Sequence, residues 1–347
     1  MTRLALPALR ADDSLGVLAA LGLLALCEDG LGVAARLGWE GPDGSAVVEA
    51  PFDSSEELAA AVAELAATLR AEERLTPGVD PALISAPLGN KERKQLDDAG
   101  ALDPMKMSAD SAVRRFQSMQ DRELDSRGPD AGWLVALIGQ TTAAKRDAAE
   151  RRLTPLYSPS GQMTLRQIYR DALETVDKRP DVIREALVAW RREKGTGANL
   201  DSRALVDAAD ASGGVAANQH VPGATWLALQ SAPWFTQVGD GAAGEAVAWR
   251  YPRGGARFRW PVWRPLLSPS AVRLLLAHPA VRWADQPPSR GLSSAKVKAR
   301  TEQYRSMQNR RARERRVLGV CALYEARRKA LSKSAGPLQA PVLLWQS

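Results

Sequence analysis

The sequence holds few of the residues on which catalytic and metal sites are commonly built. Among its 347 residues are only two cysteines and two histidines. Cys27 and Cys321 lie far apart along the chain, which argues against a disulfide scaffold and against a cysteine-rich zinc site. His220 and His278 belong to no HxH, HD or HExxH pair, so a metal site built on imidazole is not expected and either side chain is predicted to be structural or exposed.

The motifs of common phosphate-binding and hydrolase sites are also absent. The sequence has no GxxxxGKS/T loop, no GxGxxG that opens a helix after a strand and no GxSxG elbow. We therefore expect a protein that is not an enzyme and that needs no cofactor.

Long apolar runs are lacking as well, and no stretch reaches the roughly 18 residues that a membrane span requires. The segment 14–27, SLGVLAALGLLALC, has the look of a signal-peptide core that ends in a lipobox. Asp12 and Asp13 precede it, however, and Leu26 stands before Cys27 where a small residue is needed. The sequence therefore predicts a cytoplasmic protein without a membrane partner.

Aromatic residues make up 5% of the chain, yet ten of the nineteen are tryptophans. Apolar and charged contents of 45% and 25% are ordinary for a globular protein. Seven tryptophans fall in one region: Trp190, Trp226, Trp234, Trp249, Trp260, Trp263 and Trp283. Large rigid rings are thus concentrated in the second half of the chain.

Charge is unevenly distributed along the sequence. From Arg290 to Lys333 fourteen lysines and arginines stand against three glutamates, a local net charge of +11. Because the whole chain carries +7, the other residues together carry −4. A neutral-to-acidic body with one basic segment is typical of a protein that meets a polyanion at a defined place.

Hydrophobic periodicity and turn residues predict a helix, a hairpin and a second helix at the start of the chain. Asp13 or Ser14 can cap the first helix, two short strands flank the turn at 41–44, and Ser54 and Glu57 have the spacing of a capping box. Four further helices are predicted, at 108–124, 133–152, 164–176 and 179–195.

The second half of the chain shows strand-like alternation. The segments 247–252 and 256–263 predict antiparallel strands, and 268–281 predicts a short capped helix. The basic segment is helical by propensity up to Arg316, whereas 316–328 fits either a helix or a strand.

Together these patterns predict an α+β fold, with a mixed helical body, short antiparallel strands and a basic, mainly helical C-terminal segment. We expect an N-terminal body at 1–215, a Trp-rich α/β segment at 216–290 that closes it, and the basic segment at 291–347.

Two tryptophans beside arginines, in ARFRWPVWRP, permit a base-stacking platform or a domain core. Arg257 and Arg259 alternate with Phe258 and Trp260, as in a half-buried strand with its charges outward. We therefore predict that Trp260 and Trp263 belong to the core.

The loop around PLGNKERKQ allows two functions. Asp80, Glu92 and Lys94 match a loose metal-dependent nuclease pattern, but the segment reads as a solvated turn entering a helix and not as the strand that such a site needs. Alternatively, the loop contacts phosphates or base edges, through Asn90, Lys91, Arg93 and Lys94. An exposed turn without function remains equally open.

The basic C-terminal segment carries the strongest signal for nucleic-acid binding, because its helix has no broad apolar face that packing would explain. A solvated helix or a disordered tail are the alternatives. The candidate contacts are Lys296, Lys298, Arg310, Arg311, Arg313, Arg315, Arg316, Arg327, Arg328 and Lys329.

Two stretches of the sequence resemble one family. The opening LPALRADDSLGVLAALGLLALCEDGLGVAARLGWEG, together with VPGATWLALQSAPWF and RFRWPVWRPLLSPSAVRLLL, is similar to large-subunit-like (Cas8-type) proteins of type I-G (formerly I-U) CRISPR Cascade. Residues 6–40 and about 221–276 carry the resemblance, whereas 76–215 do not align. Large subunits in these systems are often much longer, so a compact version and an accessory protein of the same loci are both open.

The resemblance implies a non-catalytic, DNA-binding subunit of a crRNA-guided complex. Such a subunit inspects the protospacer-adjacent motif (PAM), helps to open the duplex and recruits a separate helicase-nuclease. The implied partners are Cascade backbone subunits, crRNA and target double-stranded DNA. No binding residue of the family falls on a matched position, so the candidate contacts rest on charge and loop context alone. A basic protein-interaction module remains an alternative.

Overall fold

The computed structural model describes residues 1–41, 44–78, 130–137, 154–156, 165–203, 218–239, 244–251, 255–282, 294–330 and 335–347. Over these residues the chain combines helices with antiparallel sheets, which confirms the α+β class. The predicted helix at 108–124 lies outside the described residues, as does most of the one at 133–152.

The N-terminal elements form a three-stranded antiparallel sheet, in the order β1-β3-β2, covered by a helix. Asp13 caps that helix by accepting hydrogen bonds from the amides of Leu15 and Gly16, at 2.8 and 3.2 Å, as the sequence predicts. The second helix begins at its predicted cap, where Ser54 Oγ accepts from the Glu57 amide. The elements are β1 (Thr2–Arg10), α1 (Ser14–Ala25), β2 (Arg36–Glu40), β3 (Ser45–Ala50) and α2 (Ser55–Ala71).

Four further helices build the body: α3 (Asp130–Leu137), α4 (Leu165–Lys178), α5 (Asp181–Val188) and α6 (Pro222–Leu229). Every residue of α1 is buried, and α1 packs against α6 at very short range. A Cβ on Gly22 would lie 1.7 Å from the Leu227 carbonyl oxygen, and one on Gly223 would lie 2.1 Å from that of Val182. Glycine at these two positions therefore lets α1, α6 and α5 meet through their backbones.

The helix predicted at 179–195 is too long. It ends at Val188, after which Ala189 is extended, and β4 (Glu193–Lys194) pairs with β5 (Gln219–His220). The backbone pairing with β5 holds residues 193–194 extended, and there Glu193 accepts from Arg179 at N–O distances of 2.5 and 2.7 Å.

The second half of the chain forms a seven-stranded antiparallel sheet. Its strands are β6 (Gln237–Gly239), β7 (Gly244–Ala246), β8 (Trp249–Arg250), β9 (Arg257–Trp263), β10 (Val320–Ala330), β11 (Ala335–Leu338) and β12 (Val342–Gln346). Between β9 and β10 the chain forms α7 (Pro269–Ala277) and the long helix α8 (Ser294–Val317). Strand β10 has β9 on one side and both β11 and β12 on the other. The ambiguous segment 316–328 is thus mostly strand, because Gly319, at φ +74°, ends the helix.

The sheet joins the predicted segments 216–290 and 291–347, because β9 and β10 are paired neighbours. The division into three domains itself stays a prediction. None of the described helices has both the length and the apolar character that crossing a bilayer demands.

The tryptophans of RFRWPVW lie in the core, as predicted. Trp260 and Trp263 are both fully buried, and their ring nitrogens donate to the carbonyl oxygens of Ala11 and Leu37, each at 2.8 Å. These two hydrogen bonds tie the large sheet to the N-terminal sheet. Neighbouring rings continue as a stack of Trp249, Phe258, Trp260 and Tyr324.

Candidate nucleic-acid interface

The long helix α8 presents two different faces. One face is half-buried to buried against the protein and carries Thr301, Tyr304, Gln308, Arg311 and Arg315. The opposite face is exposed and carries Glu302, Arg305, Asn309, Arg313 and Arg316. Since these residues recur at spacings of three and four, each set follows one side of the helix. Lys296 and Lys298 belong to the first turns of α8.

Arg315 anchors this helix and does not reach solvent. Its side chain is buried, its Nε donates to the Ala280 carbonyl oxygen at 2.7 Å, and its guanidinium lies 5.2 Å from the Trp345 ring centroid. Burial, followed by the charges of Arg259 and Arg311, lowers the pKa of Arg315. The prediction that Arg315 contacts nucleic acid is therefore wrong, because its donors are used inside the protein.

Arg328 is also a structural residue. It is 2% exposed and donates to three carbonyl oxygens, those of Asn199, Gly336 and Pro155, at 3.2, 3.1 and 3.0 Å. Burial lowers its pKa to about 10. The alternation of β10 turns this side chain inward with Ala326, so the prediction of a phosphate contact at Arg328 is wrong as well.

The other arginines predicted on α8 remain at or near the surface. Arg310 is exposed and pairs with Glu314 at 3.6 Å, Arg311 is half-buried, and Arg313 and Arg316 are exposed. On β10, Arg327 and Lys329 are exposed on the face opposite to Arg328.

Three arginines from adjacent strands form a row across the large sheet. Arg250 of β8 lies directly opposite Arg257 of β9, and Arg257 lies opposite Arg327 of β10. We call these three residues the arginine row. Directly opposed residues of an antiparallel sheet point to the same face, and like charges at such positions destabilise the sheet. The sequence contained the three arginines, but only the register of the strands reveals the row.

Two glutamates partly compensate the charge around the arginine row. Glu325 accepts from Arg257 at 3.2 Å and from Arg259 at 2.8 Å. Glu245 pairs in the same way with Arg250 at 3.0 Å and Arg282 at 3.7 Å.

Each carboxylate is thus shared between two guanidinium groups, and positive charge remains in excess. Burial is the main reason why the pKa of Arg259 is lowered, and the neighbouring charges of Arg250 and Arg257 add to that effect. The charge of Arg259 also contributes to lowering the pKa of Arg315, which places the C-terminal end of α8 near this face of the sheet.

Sequence reasoning did not name Arg250, Arg257, Arg259 or Arg282 as nucleic-acid contacts. The outward alternation of Arg257 and Arg259 was a usable signal, since it placed both on the sheet face opposite to Phe258 and Trp260. The loop residues Asn90, Lys91, Arg93 and Lys94, and the nuclease candidates Asp80 and Glu92, lie outside the described residues.

The histidines and cysteines contribute no reactive cluster within the described ranges. Burial lowers the pKa of His220, whose Nδ1 lies 3.4 Å from Thr225 Oγ1. His278 Nδ1 accepts from the Ala280 amide at 3.1 Å. Burial raises the pKa of the Cys27 thiol to about 12. In the part of the chain that the structure describes, no three histidine, cysteine, aspartate or glutamate side chains are grouped as metal ligands.

Comparison with known proteins adds no relative: no family model, no curated protein and no solved structure matches this chain.

Proposed function

We propose that the protein binds nucleic acid without catalysis, as a DNA-binding subunit of a crRNA-guided type I CRISPR Cascade in antiviral defence. The observation that carries the binding proposal is the arginine row. Glu245 and Glu325 leave this part of the sheet with an excess of positive charge, which a bound chain of phosphates would neutralise.

The geometry of the arginine row suits a phosphodiester backbone. Adjacent strands lie about 4.8 Å apart, so three successive strands place charges over a distance of about 10 Å. Phosphates along one strand of DNA are spaced at a few ångströms, and guanidinium groups bind them in a bidentate manner. Such contacts position the protein on the backbone and carry no sequence information by themselves.

The resemblance supplies the more specific part of the proposal. In guided complexes base pairing reads the target, while protein subunits read a short duplex motif and hold the backbone. The roles implied for this chain are PAM sensing, help in opening the duplex and recruitment of the helicase-nuclease. Its proposed partners are the Cascade backbone subunits, crRNA and double-stranded DNA.

The test is the salt dependence of duplex DNA binding. We would compare the wild type with Arg257→Gln/Arg327→Gln, which removes two charges of the arginine row. Each lost phosphate contact should lower the slope of log K against log salt by about 0.9, so the double variant should lose about 1.8.

The matched control is Arg3→Gln/Arg36→Gln. It removes the same charge at two exposed arginines of the N-terminal sheet, which pair with Glu40 and Glu49. Its slope should equal that of the wild type. Equal slopes for both double variants would contradict the proposed surface, and absence of DNA binding would contradict the function.

The proposed absence of catalysis has its own test. Duplex and single-stranded DNA should remain intact when incubated with the protein and Mg²⁺ or Mn²⁺. Cleavage that Glu92→Ala abolishes would establish a nuclease instead. Co-purification with a guide RNA and Cascade backbone subunits is expected, whereas exclusive capture of an acidic protein would favour an interaction module.

A further inference from the structure

The exposed face of α8 carries an asparagine between its arginines, which a surface that binds only phosphates would not need. Asn309 lies midway between Arg305 and Arg313, four residues from each. All three residues are exposed, and no described residue forms a hydrogen bond or ion pair with any of them. Arginine and asparagine are also the side chains that pair in a bidentate manner with guanine and adenine edges.

The opposite face of α8 is fixed to the protein, as a helix that enters a groove requires. Arg315 holds it through the Ala280 carbonyl oxygen and the Trp345 ring, and Tyr304 and Arg311 are half-buried on the same side. The orientation of the helix is thereby set, and its outer face is presented in one direction.

We infer that α8 enters the major groove of duplex DNA and that Asn309 there reads the edge of a base, flanked by Arg305 and Arg313. This inference rests on the proposed function, since it requires that the protein binds DNA. It assigns base reading to α8, whereas the sequence predicted base contacts from the loop at 89–94.

The dimensions agree with this arrangement. An α-helix with its side chains is about 10–12 Å wide, and the major groove of B-DNA is about 12 Å wide. The 24 residues of α8 extend over about 36 Å, and the step from Arg305 to Arg313 is about 12 Å. With base pairs about 3.4 Å apart, the three side chains face about three to four successive pairs.

The charge of the outer face of α8 and the shape of the major groove favour duplex DNA over RNA or an acidic protein as its partner. The outer face carries three arginines, Arg305, Arg313 and Arg316, against the single carboxylate of Glu302. The major groove of A-form RNA is deep and narrow, so side chains do not reach its base edges. The Asn309 amide adds both a donor and an acceptor between two arginines, which charge pairing with an acidic protein does not require.

The experiment selects preferred sites from a library of random duplex DNA with the wild-type protein. We expect a preference that contains an adenine at one position, with about a tenfold loss of affinity when that pair is changed. Asn309→Ala should abolish the preference at this position and leave the overall slope with salt unchanged. Gln303→Ala, at an exposed amide on the flank of the same helix, is the matched control and should select the same sites as the wild type.

A base analogue identifies the groove. Replacing the selected adenine by 7-deazaadenine removes the N7 acceptor from the major groove only. It should weaken binding of the wild type about tenfold and leave Asn309→Ala unaffected. Thermal unfolding of the variants is expected to match the wild type, because Asn309 and Gln303 are exposed.

The outcomes separate this inference from the proposed function. Salt-dependent duplex binding without any sequence preference, or a preference that Asn309→Ala retains, would overturn the inference alone. Preferential binding of structured RNA or of an acidic protein would overturn it as well. Failure to bind any nucleic acid would overturn both.

Discussion

The close approach of α1 and α6 makes Gly22→Ala a sharp test of how the body is assembled. The added methyl group would lie 1.7 Å from the Leu227 carbonyl oxygen, 2.7 Å from its carbonyl carbon and 3.2 Å from the Ser231 amide nitrogen. All three atoms belong to the backbone of the opposing segment, so no side-chain rotation relieves the contact. The two helices must move apart by roughly 1.5 Å to restore ordinary van der Waals distances.

The expected loss of stability follows from two opposing contributions. Overpacking against rigid backbone costs about 3 kcal/mol. Alanine is favoured over glycine within a helix by about 1 kcal/mol, which offsets part of that loss. We therefore expect Gly22→Ala to lower the free energy of unfolding by about 2 kcal/mol. Leu227 and Ser231 would lose their tight packing first.

The control is Gly132→Ala in α3, where an added Cβ would meet no atom within 4 Å. This variant should be more stable than the wild type by about 0.5–1 kcal/mol. Urea unfolding followed by tryptophan fluorescence would compare the two, with the m-value as a check that the transition is unchanged. If Gly22→Ala proved as stable as the wild type, the described packing of α1 on α6 would be refuted.

Three further predictions concern polar contacts of the described structure. Arg315→Met removes a buried hydrogen bond and should speed amide exchange throughout α8 by at least about tenfold; unchanged exchange would contradict its anchoring role. Trp260→Phe keeps a ring but leaves the Ala11 carbonyl without its donor, so urea unfolding should show a loss of about 1–3 kcal/mol, and a loss within error would count against this tie between the sheets. The hydrogen bond from Arg179 lowers the pKa of Glu193 from 4.5 to about 2, so this pair stabilises the folded state fully above pH 4.5 and loses that effect as the pH falls towards 2. Glu193→Gln should therefore reduce the free energy of unfolding at pH 7 and differ little from the wild type near pH 2; a gap that widens on acidification would contradict this.

Local signals explain what the sequence predicted correctly about the fold. The cap at Asp13, the pairing of β2 with β3 and the alternation in β9 act over a few residues, and the structure follows each of them. The helix predicted to reach residue 195 failed because residues 193–194 pair as a strand with 219–220, a partner too distant along the chain to leave a local signal.

The candidate site was less predictable because it depends on strand register. The arginine row joins β8, β9 and β10, and its third member comes 70 residues after its second. Charge composition pointed to the basic segment, but it does not distinguish an exposed arginine from a buried one. Within β10 the alternation of Ala326, Arg327 and Arg328 was the available signal, and the helical phase of the same residues concealed it.

The position of β10 has a consequence for how the chain reaches its native state. Strand β9 ends at Trp263, and its neighbour begins only at Val320. At roughly 5–20 residues per second on the ribosome, several seconds pass between the emergence of the two strands. During this interval one edge of a tryptophan-rich strand has no native neighbour, which makes it a target for chaperones or for association with other nascent chains. A protein truncated before β10 would leave this edge of β9 permanently without its native neighbour. Assays on such a truncated protein would therefore measure its aggregation and not its DNA binding.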